Sequence, residues 1–292
     1  DSGKLFNKRI RDRICELTVK LEQAADAGDF KDAVTEFYGE FGVGKLGLHK
    51  AFRVLHKEDG AQIVPITNIA HVKLDDLVGY EIAKQKLIDN TESFVRGKEA
   101  NNCLLYGDAG TGKSTSIKAI ANQYYDRGLR LIEVYKHQFC DLNDVIAQIK
   151  NRNYKFIIYM DDLSFEEFEI EYKFLKAVIE GGVETKPDNV LIYATSNRRR
   201  LVRQTFSDRA GDEVDASETI QEKTSLSDRF GLRIPYLALN QAEFLELVEG
   251  MAEQAGIALD RDSLRAEAVK WEMRNPGRTP RTAKQFIASL SL

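Results

Sequence analysis

Five short apolar runs, separated by segments with helical periodicity, constrain the fold of this chain more than any other feature. Each run is apolar on both faces, which is typical of a strand buried inside a parallel sheet. The runs are NCLLY (102–106), LRLIEVY (129–135), KFIIYMD (155–161), VLIYATS (190–196) and LRIPYLAL (232–239). Because helices between such strands form βαβ units, the pattern predicts an α/β fold with a doubly wound, five-stranded parallel sheet.

Helical patterns replace this alternation at both ends of the chain. Near the start, apolar residues recur every three or four positions across residues 3–27, and a second short helix is expected over 32–40. A further helix is predicted over 46–57, followed by an extended stretch over 62–69. After residue 240 the strand signal vanishes and helical periodicity continues to the end.

We therefore predict three regions: a helical N-terminal region over residues 1–70, an α/β core over 71–240 and a helical lid over 241–292. Hydrophobic residues make up 43% of the chain and charged residues 30%, which is typical of a globular protein. Residues 207–224 are acidic and poor in apolar side chains, so we interpret this segment of the core as a solvated loop.

The octapeptide GDAGTGKS at residues 107–114 follows the first apolar run and satisfies G-x-x-x-x-G-K-[ST] in full. Its glycines allow a tight turn in which successive backbone amides point at phosphate oxygens, and the helix that follows adds its positive dipole end. Lys113 supplies a point charge for the β- and γ-phosphates, and the Ser114 hydroxyl is a ligand for Mg²⁺. The sequence therefore predicts a site for ATP/ADP and Mg²⁺. The predicted contacts are Gly107, Asp108, Ala109, Gly110, Thr111, Gly112, Lys113, Ser114 and Thr115.

An acidic pair, Asp161 and Asp162, closes the third apolar run. A phosphate loop needs an acid at the end of a neighbouring strand, and this pair is the candidate. Asp161 fits the residue that holds Mg²⁺, and Asp162 fits the residue that polarises the attacking water. The plainer alternative is that the pair caps a following helix. Glu166 and Glu167 lie close behind as substitutes for the second role.

Charge, hydropathy and cysteine usage argue against several classes of protein. The net charge of −4 gives no general attraction to nucleic acid or anionic lipid. No run approaches the roughly 18 apolar residues of a membrane span. The three cysteines are scattered and the four histidines do not cluster, so neither a disulfide framework nor a Cys/His metal site is predicted. We expect a cytoplasmic protein that does not bind membranes, with a buried thiol at Cys103.

Together with the phosphate loop and the acid pair, other segments of the chain resemble those of an AAA+ ATPase, and they follow in the same order. VKLDDLVGYEIAK (72–84) resembles the segment that packs on adenine in that class, with Val78 and Gly79 at the contact. VLIYATSN ends in Asn197, which matches the polar sensor-1 residue between the phosphate loop and the acids. A strand-end hydrogen bond is the plainer interpretation of Asn197.

Two arginines complete the resemblance. SLSDRFG (225–231) precedes the last strand, and its Arg229 matches an arginine finger that reaches a neighbouring subunit's nucleotide. GRTPRTAKQF (277–286) lies in the lid, and its Arg281 resembles the sensor-2 arginine. The alternatives are a surface or intrachain ion pair for Arg229 and a solvated helix position for Arg281.

Six phrases distributed along the chain narrow the resemblance further. LVGYE, NTESF, DDLSFE, EGG, ATSNRRR and SLSDRFGL together resemble one bacterial family of stand-alone AAA+ ATPases of unknown function. The resemblance covers the chain from about residue 40 onwards. It implies an ATPase activity and leaves the client of that activity unspecified.

Three functions remain as hypotheses. The first is a homo-oligomeric ATPase in which Arg229 acts in trans and turnover remodels a protein or protein–DNA client. The second is a nucleotide-controlled switch for a protein partner, with slow hydrolysis because Asp162 is one methylene shorter than the usual glutamate. The third is a loader or remodeller on DNA, suggested by the likeness of SLSDRFG to branch-migration and clamp-loading ATPases. The run Arg198–Arg200 is a candidate nucleic-acid contact, which the net charge of −4 disfavours.

Overall fold

The computed structural model describes residues 8–41, 44–58, 60–165, 170–180, 187–197, 201 and 226–290. The strands are β1 (Ala51–Lys57), β2 (Gly60–Ile66), β3 (Cys103–Gly107), β4 (Leu129–Glu133), β5 (Lys155–Met160), β6 (Val190–Ser196) and β7 (Leu232–Tyr236). The helices before β5 are α1 (Lys8–Glu22), α2 (Ala27–Phe41), α3 (Lys45–Leu48), α4 (Glu81–Val95), α5 (Lys113–Tyr124) and α6 (Leu142–Ile149). Those after it are α7 (Ile170–Glu180), α8 (Gln241–Ala255), α9 (Arg261–Arg274) and α10 (Pro280–Leu290).

The sheet has the order β2-β1-β4-β5-β6-β3-β7, and every neighbouring pair is parallel except β1 with β2. The five predicted strands are all present and lie side by side as β4-β5-β6-β3-β7. The predicted α/β P-loop fold of the AAA+ type is therefore confirmed. The order places β6 between β3, which leads into the phosphate loop, and β5, which leads into the acid pair.

The apolar runs of β3 to β6 are continuous because these strands are covered on both faces, whereas β7, at the edge of the sheet, alternates between exposed and buried residues. Within β5, Ile158 and Met160 pack in one core cluster, while Ile157 and Tyr159 pack in the other. The first cluster includes side chains of α6 and α7, and the second includes side chains of α4 and α5. Each fully buried large apolar side chain contributes about 1.5–3 kcal/mol relative to an exposed one, so both faces stabilise the sheet.

Residues 46–57 do not form the predicted helix. They include α3, which has four residues, and then β1, which pairs with β2 from Ala51↔Ile66 to Lys57↔Gly60. The local pattern is ambiguous, and the pairing of β1 with β2 and with the distant β4 decides it. The sheet thus gains β1, where a helix was predicted, and β2, which overlaps the extended stretch predicted over 62–69. The division of the chain into three regions stays a prediction.

The helices predicted over 3–27 and 32–40 correspond to α1 and α2. In the lid, α8, α9 and α10 surround a cluster of their own that includes Phe244, Val248 and Phe286. The start of α8 is capped by Asn240, whose side chain accepts from the amide of Glu243 while the Glu243 carboxylate accepts from the Asn240 amide. In the part of the chain that the structure describes, no helix is both long enough and apolar enough to span a bilayer.

Three sequence predictions lie outside the described residues: the solvated loop over 207–224, the substitute acids Glu166 and Glu167, and the basic run 198–200. The cysteine predictions fall inside them. Cys103 is buried in β3, and all three cysteines are free thiols.

Candidate nucleotide-binding site

The phosphate loop is bound tightly to the end of β7. At Gly107, φ is 137°, and a Cβ added there would lie 2.1 Å from the carbonyl oxygen of Tyr236. The Asp108 amide donates to that same oxygen at 3.0 Å, and the Asp108 carboxylate accepts from the Ala238 amide at 2.6 Å. Only glycine fits both the φ and the close approach at Gly107. With its start held at the end of β7 in this way, the loop leads into α5, which begins at Lys113.

Lys113 is buried, and its ammonium group is fully hydrogen-bonded within the chain. Nζ donates to the carbonyl oxygens of Gly107 at 2.9 Å and Asp108 at 2.7 Å, and to Oδ1 of Asn197 at 3.0 Å. An ammonium has three donors, so all are used. Burial lowers the pKa of Lys113, although the nearby carboxylates oppose that shift. A phosphate that binds here must exchange with these acceptors.

Asp161 lies beside the first hydroxyl of α5. Its Oδ1 accepts from Ser114 Oγ at 2.7 Å and from Thr195 Oγ1 at 2.6 Å. Desolvation, the largest single cause, would by itself raise the pKa of Asp161, but the hydrogen bonds from Thr195 and Ser114, with smaller contributions from Tyr159 and Lys118, together hold that pKa below its ordinary value. The carboxylate is therefore ionised at neutral pH.

The Ser114 hydroxyl and the Asp161 carboxylate are hard oxygen donors, which is the ligand chemistry that Mg²⁺ prefers. Nowhere in the described ranges do three or more His, Cys, Asp or Glu side chains form a group that could hold a metal ion. One hydroxyl and one carboxylate fit Mg²⁺, which keeps several waters and binds together with substrate phosphates.

Asp162 follows in a left-handed conformation, with φ of 50°. Its amide donates to Thr195 Oγ1 at 2.9 Å, and its Oδ1 accepts from Nδ2 of Asn197 at 2.8 Å. Asn197 thus bridges Lys113 and Asp162. Over the described residues, the non-glycine positions with positive φ are Tyr80 and Asp162, and both line the same cavity. Such conformations cost about 1–3 kcal/mol and concentrate at functional sites.

These groups line a cavity of about 880 Å³. Val78 and Gly79, the predicted adenine contacts, lie in its wall, and so do α8 and α10 of the lid. Tyr80 stacks on Tyr236 with ring centroids 5.1 Å apart, and its hydroxyl donates to the Leu237 carbonyl at 2.6 Å. The volume falls within the range of about 300–1,000 Å³ that small-molecule sites occupy.

Arg281 joins the lid to the phosphate loop. Its backbone amide donates to the Gly110 carbonyl at 3.2 Å, and a Cβ added at Gly110 would lie 3.0 Å from Arg281 Cβ. The predicted sensor-2 residue therefore reaches the site, where it lines the cavity.

Arg229 lies elsewhere. It does not line the cavity, and its Nη2 lies 3.2 Å from Oε1 of Glu180, at the end of α7. About half of its side chain is exposed. Within one chain the arginine is thus in the intrachain ion pair that the sequence left open as an alternative, and it cannot contribute to its own cavity from this position.

Sequence reasoning missed Thr195, Tyr80 and Tyr236. A hydroxyl in the otherwise apolar run VLIYATS is a signal for Thr195, because a hydroxyl buried between strands needs a partner. The stacking of Tyr80 on Tyr236 joins residues far apart in the chain, and no local pattern announces it.

Comparison with known proteins shows the family to which the chain belongs. The family model described as "Protein of unknown function (DUF815)" matches residues 47–291. A 74-residue segment, 25% of this chain, is 36% identical to the replication factor C large subunit of Staphylothermus marinus, and a 76-residue segment, 26% of the chain, is 40% identical to that of Methanococcus maripaludis. These matches span only 17% and 15% of the two relatives.

Solved structures of Thermotoga maritima RuvB are also similar. A structure of a single-substitution variant of RuvB matches with a TM-score of 0.49 and 17% identity, over 74% of this chain and 63% of that one. The structure titled RuvB Holliday junction branch migration motor matches with a TM-score of 0.48 and 18% identity over the same shares. The family match covers most of the chain, including the whole cavity wall. The chain is therefore a member of the DUF815 family.

Proposed function

We propose that the chain is an ATPase that binds Mg-ATP in the cavity and hydrolyses it to ADP and phosphate. The observation that carries the proposal is one hydrogen-bonded cluster at the phosphate loop. In it, Lys113 contacts Asn197, Asn197 contacts Asp162, and Ser114 contacts Asp161. A loop lysine, a hydroxyl and two strand-end acids are the parts that phosphoryl transfer needs in one place.

Each group then has a defined role. The loop amides and Lys113 bind the β- and γ-phosphates, after Lys113 releases the carbonyl oxygens that it now contacts. Ser114 and Asp161 hold Mg²⁺, which neutralises charge on the phosphates when bound. Asp162 accepts a hydrogen bond from the attacking water, and Asn197 orients both that carboxylate and the phosphate. Val78 and Gly79 contact adenine.

We further propose that the protein works as a homo-oligomer in which Arg229 reaches the γ-phosphate of the neighbouring chain. The arginine is exposed and lies outside its own cavity, as a trans-acting finger requires. Arg281 acts from the lid on the same nucleotide. The client is a protein or protein–DNA complex, and the partial likeness to proteins named as replication factors supports the second kind.

A slow nucleotide switch is the second candidate. The observation that favours it is the state of Asp162, a short carboxylate that is already hydrogen-bonded to Asn197. If that bond persists with ATP bound, the water is poorly activated and the ATP-bound form is long-lived. Such a protein would signal to a partner through its lid.

A binding titration with a fluorescent ATP analogue tests the site. Lys113→Ala should weaken binding by about tenfold or more, since a charge-assisted hydrogen bond contributes about 1.5–3 kcal/mol. Asp161→Asn should bind the analogue as the wild type does in EDTA, and should lose the gain in affinity that Mg²⁺ gives. Lys86→Ala, an exposed lysine of α4, is the control for loss of a positive charge. Equal affinities of the Lys113→Ala and Lys86→Ala proteins would contradict the proposed site.

A further inference from the structure

We propose that Thr195 is a positioning residue that sets the orientation of both acids, and through them the response of the site to Mg²⁺. The proposal rests on the proposed function, because it concerns the residues that hold Mg-ATP. It adds a residue that belongs neither to the phosphate loop nor to the acid pair, although it lines the same cavity.

The sheet order explains why Thr195 reaches both acids. Thr195 lies in β6, which is hydrogen-bonded to β3 on one side and β5 on the other. Ala194, the residue before it, pairs with Met160 at the end of β5. Thr195 is therefore level with Asp161, the first residue after β5, and it is 2% exposed.

A single hydroxyl makes both contacts. Thr195 Oγ1 donates to Oδ1 of Asp161 at 2.6 Å and accepts from the amide of Asp162 at 2.9 Å. The Thr195 carbonyl also accepts from the Leu163 amide at 2.6 Å. Three consecutive residues that leave β5 are thus bound to one residue of β6.

The contact to Asp161 holds the proposed metal ligand from behind. Ser114 and Thr195 both donate to the same oxygen of Asp161. A Ser114 hydroxyl that binds a metal ion through a lone pair keeps its O–H, and with it the hydrogen bond to Asp161. The Thr195 hydroxyl, which is not one of the proposed metal ligands, adds a second donor from β6 and fixes the carboxylate in one orientation. Partners of this kind, which orient a metal ligand from behind, typically change metal affinity or activity by about 10–100-fold when they are removed.

The contact to Asp162 compensates for its backbone conformation. A non-glycine residue at φ of 50° is unfavourable unless neighbouring groups hold it there. The hydrogen bond from the Asp162 amide to Thr195 is such a constraint, and it fixes the backbone position from which the Asp162 side chain extends. Loss of the hydroxyl would leave this amide without its acceptor and would let the segment relax.

Thr195→Val tests the idea, because valine keeps the volume and removes the hydroxyl. The half-saturating Mg²⁺ concentration for binding of a fluorescent ATP analogue should rise by about tenfold or more, and turnover at saturating Mg²⁺ should fall by a similar factor. Affinity for the analogue in EDTA should stay within about twofold, since the loop amides and Lys113 do not contact Thr195. Thr195→Ser, which keeps the hydroxyl, should restore the wild-type Mg²⁺ response.

A second buried threonine supplies the matched control. Thr91 in α4 is fully buried, donates to the Leu87 carbonyl at 2.8 Å and lies 2.9 Å from the Tyr193 hydroxyl, but does not line the cavity. Thr91→Val should lower the melting temperature without moving the Mg²⁺ response. If Thr195→Val does the same and no more, Thr195 is merely structural and the proposal is overturned.

The binding readout separates this proposal from the proposed function. A wild type that binds the analogue in a Mg²⁺-dependent way but releases no phosphate contradicts the ATPase, while the shift in Thr195→Val still supports the positioning role. A wild type whose binding ignores Mg²⁺, or that binds no nucleotide, overturns both.

Discussion

At the scale of single residues, three polar side chains around the phosphate loop are hydrogen-bonded within the chain. Lys113 uses three acceptors of the chain, and Ser114 and Asn197 each contact an acid. At these side chains, nucleotide binding must therefore exchange hydrogen bonds rather than add them. Because each exchange is worth only about 0.5–1.5 kcal/mol net, affinity depends on how many phosphate oxygens are contacted at once.

Asp162 is the residue whose replacement most directly separates binding from hydrolysis. Asp162→Asn should keep the hydrogen-bonding shape of the side chain and the affinity for ATP, and lower turnover by about 10²-fold or more, because an amide is a poor acceptor for a proton of water. Asp162→Glu should hydrolyse at least as fast as the wild type, because the longer carboxylate reaches farther. Phosphate release at saturating Mg-ATP measures both. A wild-type rate in Asp162→Asn would move the role to another residue, with Glu166 and Glu167 first in line.

The site residues that can be predicted from the sequence are those that belong to a motif of neighbouring residues in the chain. GDAGTGKS needs no tertiary information, since glycines, lysine and hydroxyl stand at fixed spacing and the strand precedes them. Thr195 contacts Asp161 across 34 positions and Tyr80 stacks on Tyr236 from the other end of the core, so nothing local predicts them. The ion pair of Arg229 with Glu180 is likewise visible only in three dimensions.

At the scale of elements, Arg130 explains how α3 is held beside the sheet. It lies in β4, is 3% exposed, and donates from Nε to the Leu46 carbonyl at 2.6 Å and from Nη2 to the Gly47 carbonyl at 3.3 Å. Its guanidinium carbon also lies 4.3 Å from the ring centres of both Tyr125 and Tyr154. This is a buried cation whose donors are met by backbone carbonyls and whose faces are covered by aromatic rings.

Arg130→Lys should therefore destabilise the protein by about 2–4 kcal/mol. An ammonium group cannot make the several in-plane hydrogen bonds of a guanidinium, and it cannot stack between two rings. The urea dependence of far-UV circular dichroism measures the loss. Arg96→Lys, at an exposed arginine that pairs with Glu92 on α4, is the control and should change stability by less than about 0.5 kcal/mol. Equal stabilities of the two variants would show that Arg130 does not anchor α3.

β1, the strand that was not predicted from the sequence, is held by contacts between distant parts of the chain, as α3 is held by Arg130. AFRVLHK is compatible with a short helix or a strand, and its register is fixed by β2 and by three residues of β4 that lie far along the chain. Strands β3 to β6, by contrast, are apolar and largely buried on both faces, and they cannot be mistaken for amphipathic helices. A strand that is buried on both faces appears in the sequence as a continuous apolar run. Pairing with a strand that is distant in the chain leaves no such local signal.

At the scale of the whole molecule, the lid and the α/β core together line one cavity. Arg229, the proposed arginine finger, lies outside it. The segment between β7 and α8 is bound to the phosphate loop through Asp108 and Ala238, and to the lid through Leu239 and Arg278. Arg281 then returns to Gly110. A shift of the phosphate loop is thus coupled to the position of the lid through these contacts, while Arg229, on the segment before β7, would serve only another chain.

The central claim is that one chain's cavity and the next chain's Arg229 form a single ATPase site, and mixing two inactive variants tests it most directly. Arg229→Ala should bind ATP normally and hydrolyse it about 10³-fold more slowly, while Lys113→Ala should bind ATP about tenfold or more weakly and hydrolyse little of it. Phosphate release should return when the two are mixed, because one supplies an intact pocket and the other an intact finger, and the wild-type rate per chain should rise with protein concentration. A wild-type rate independent of concentration, with no recovery in the mixture, would contradict the claim.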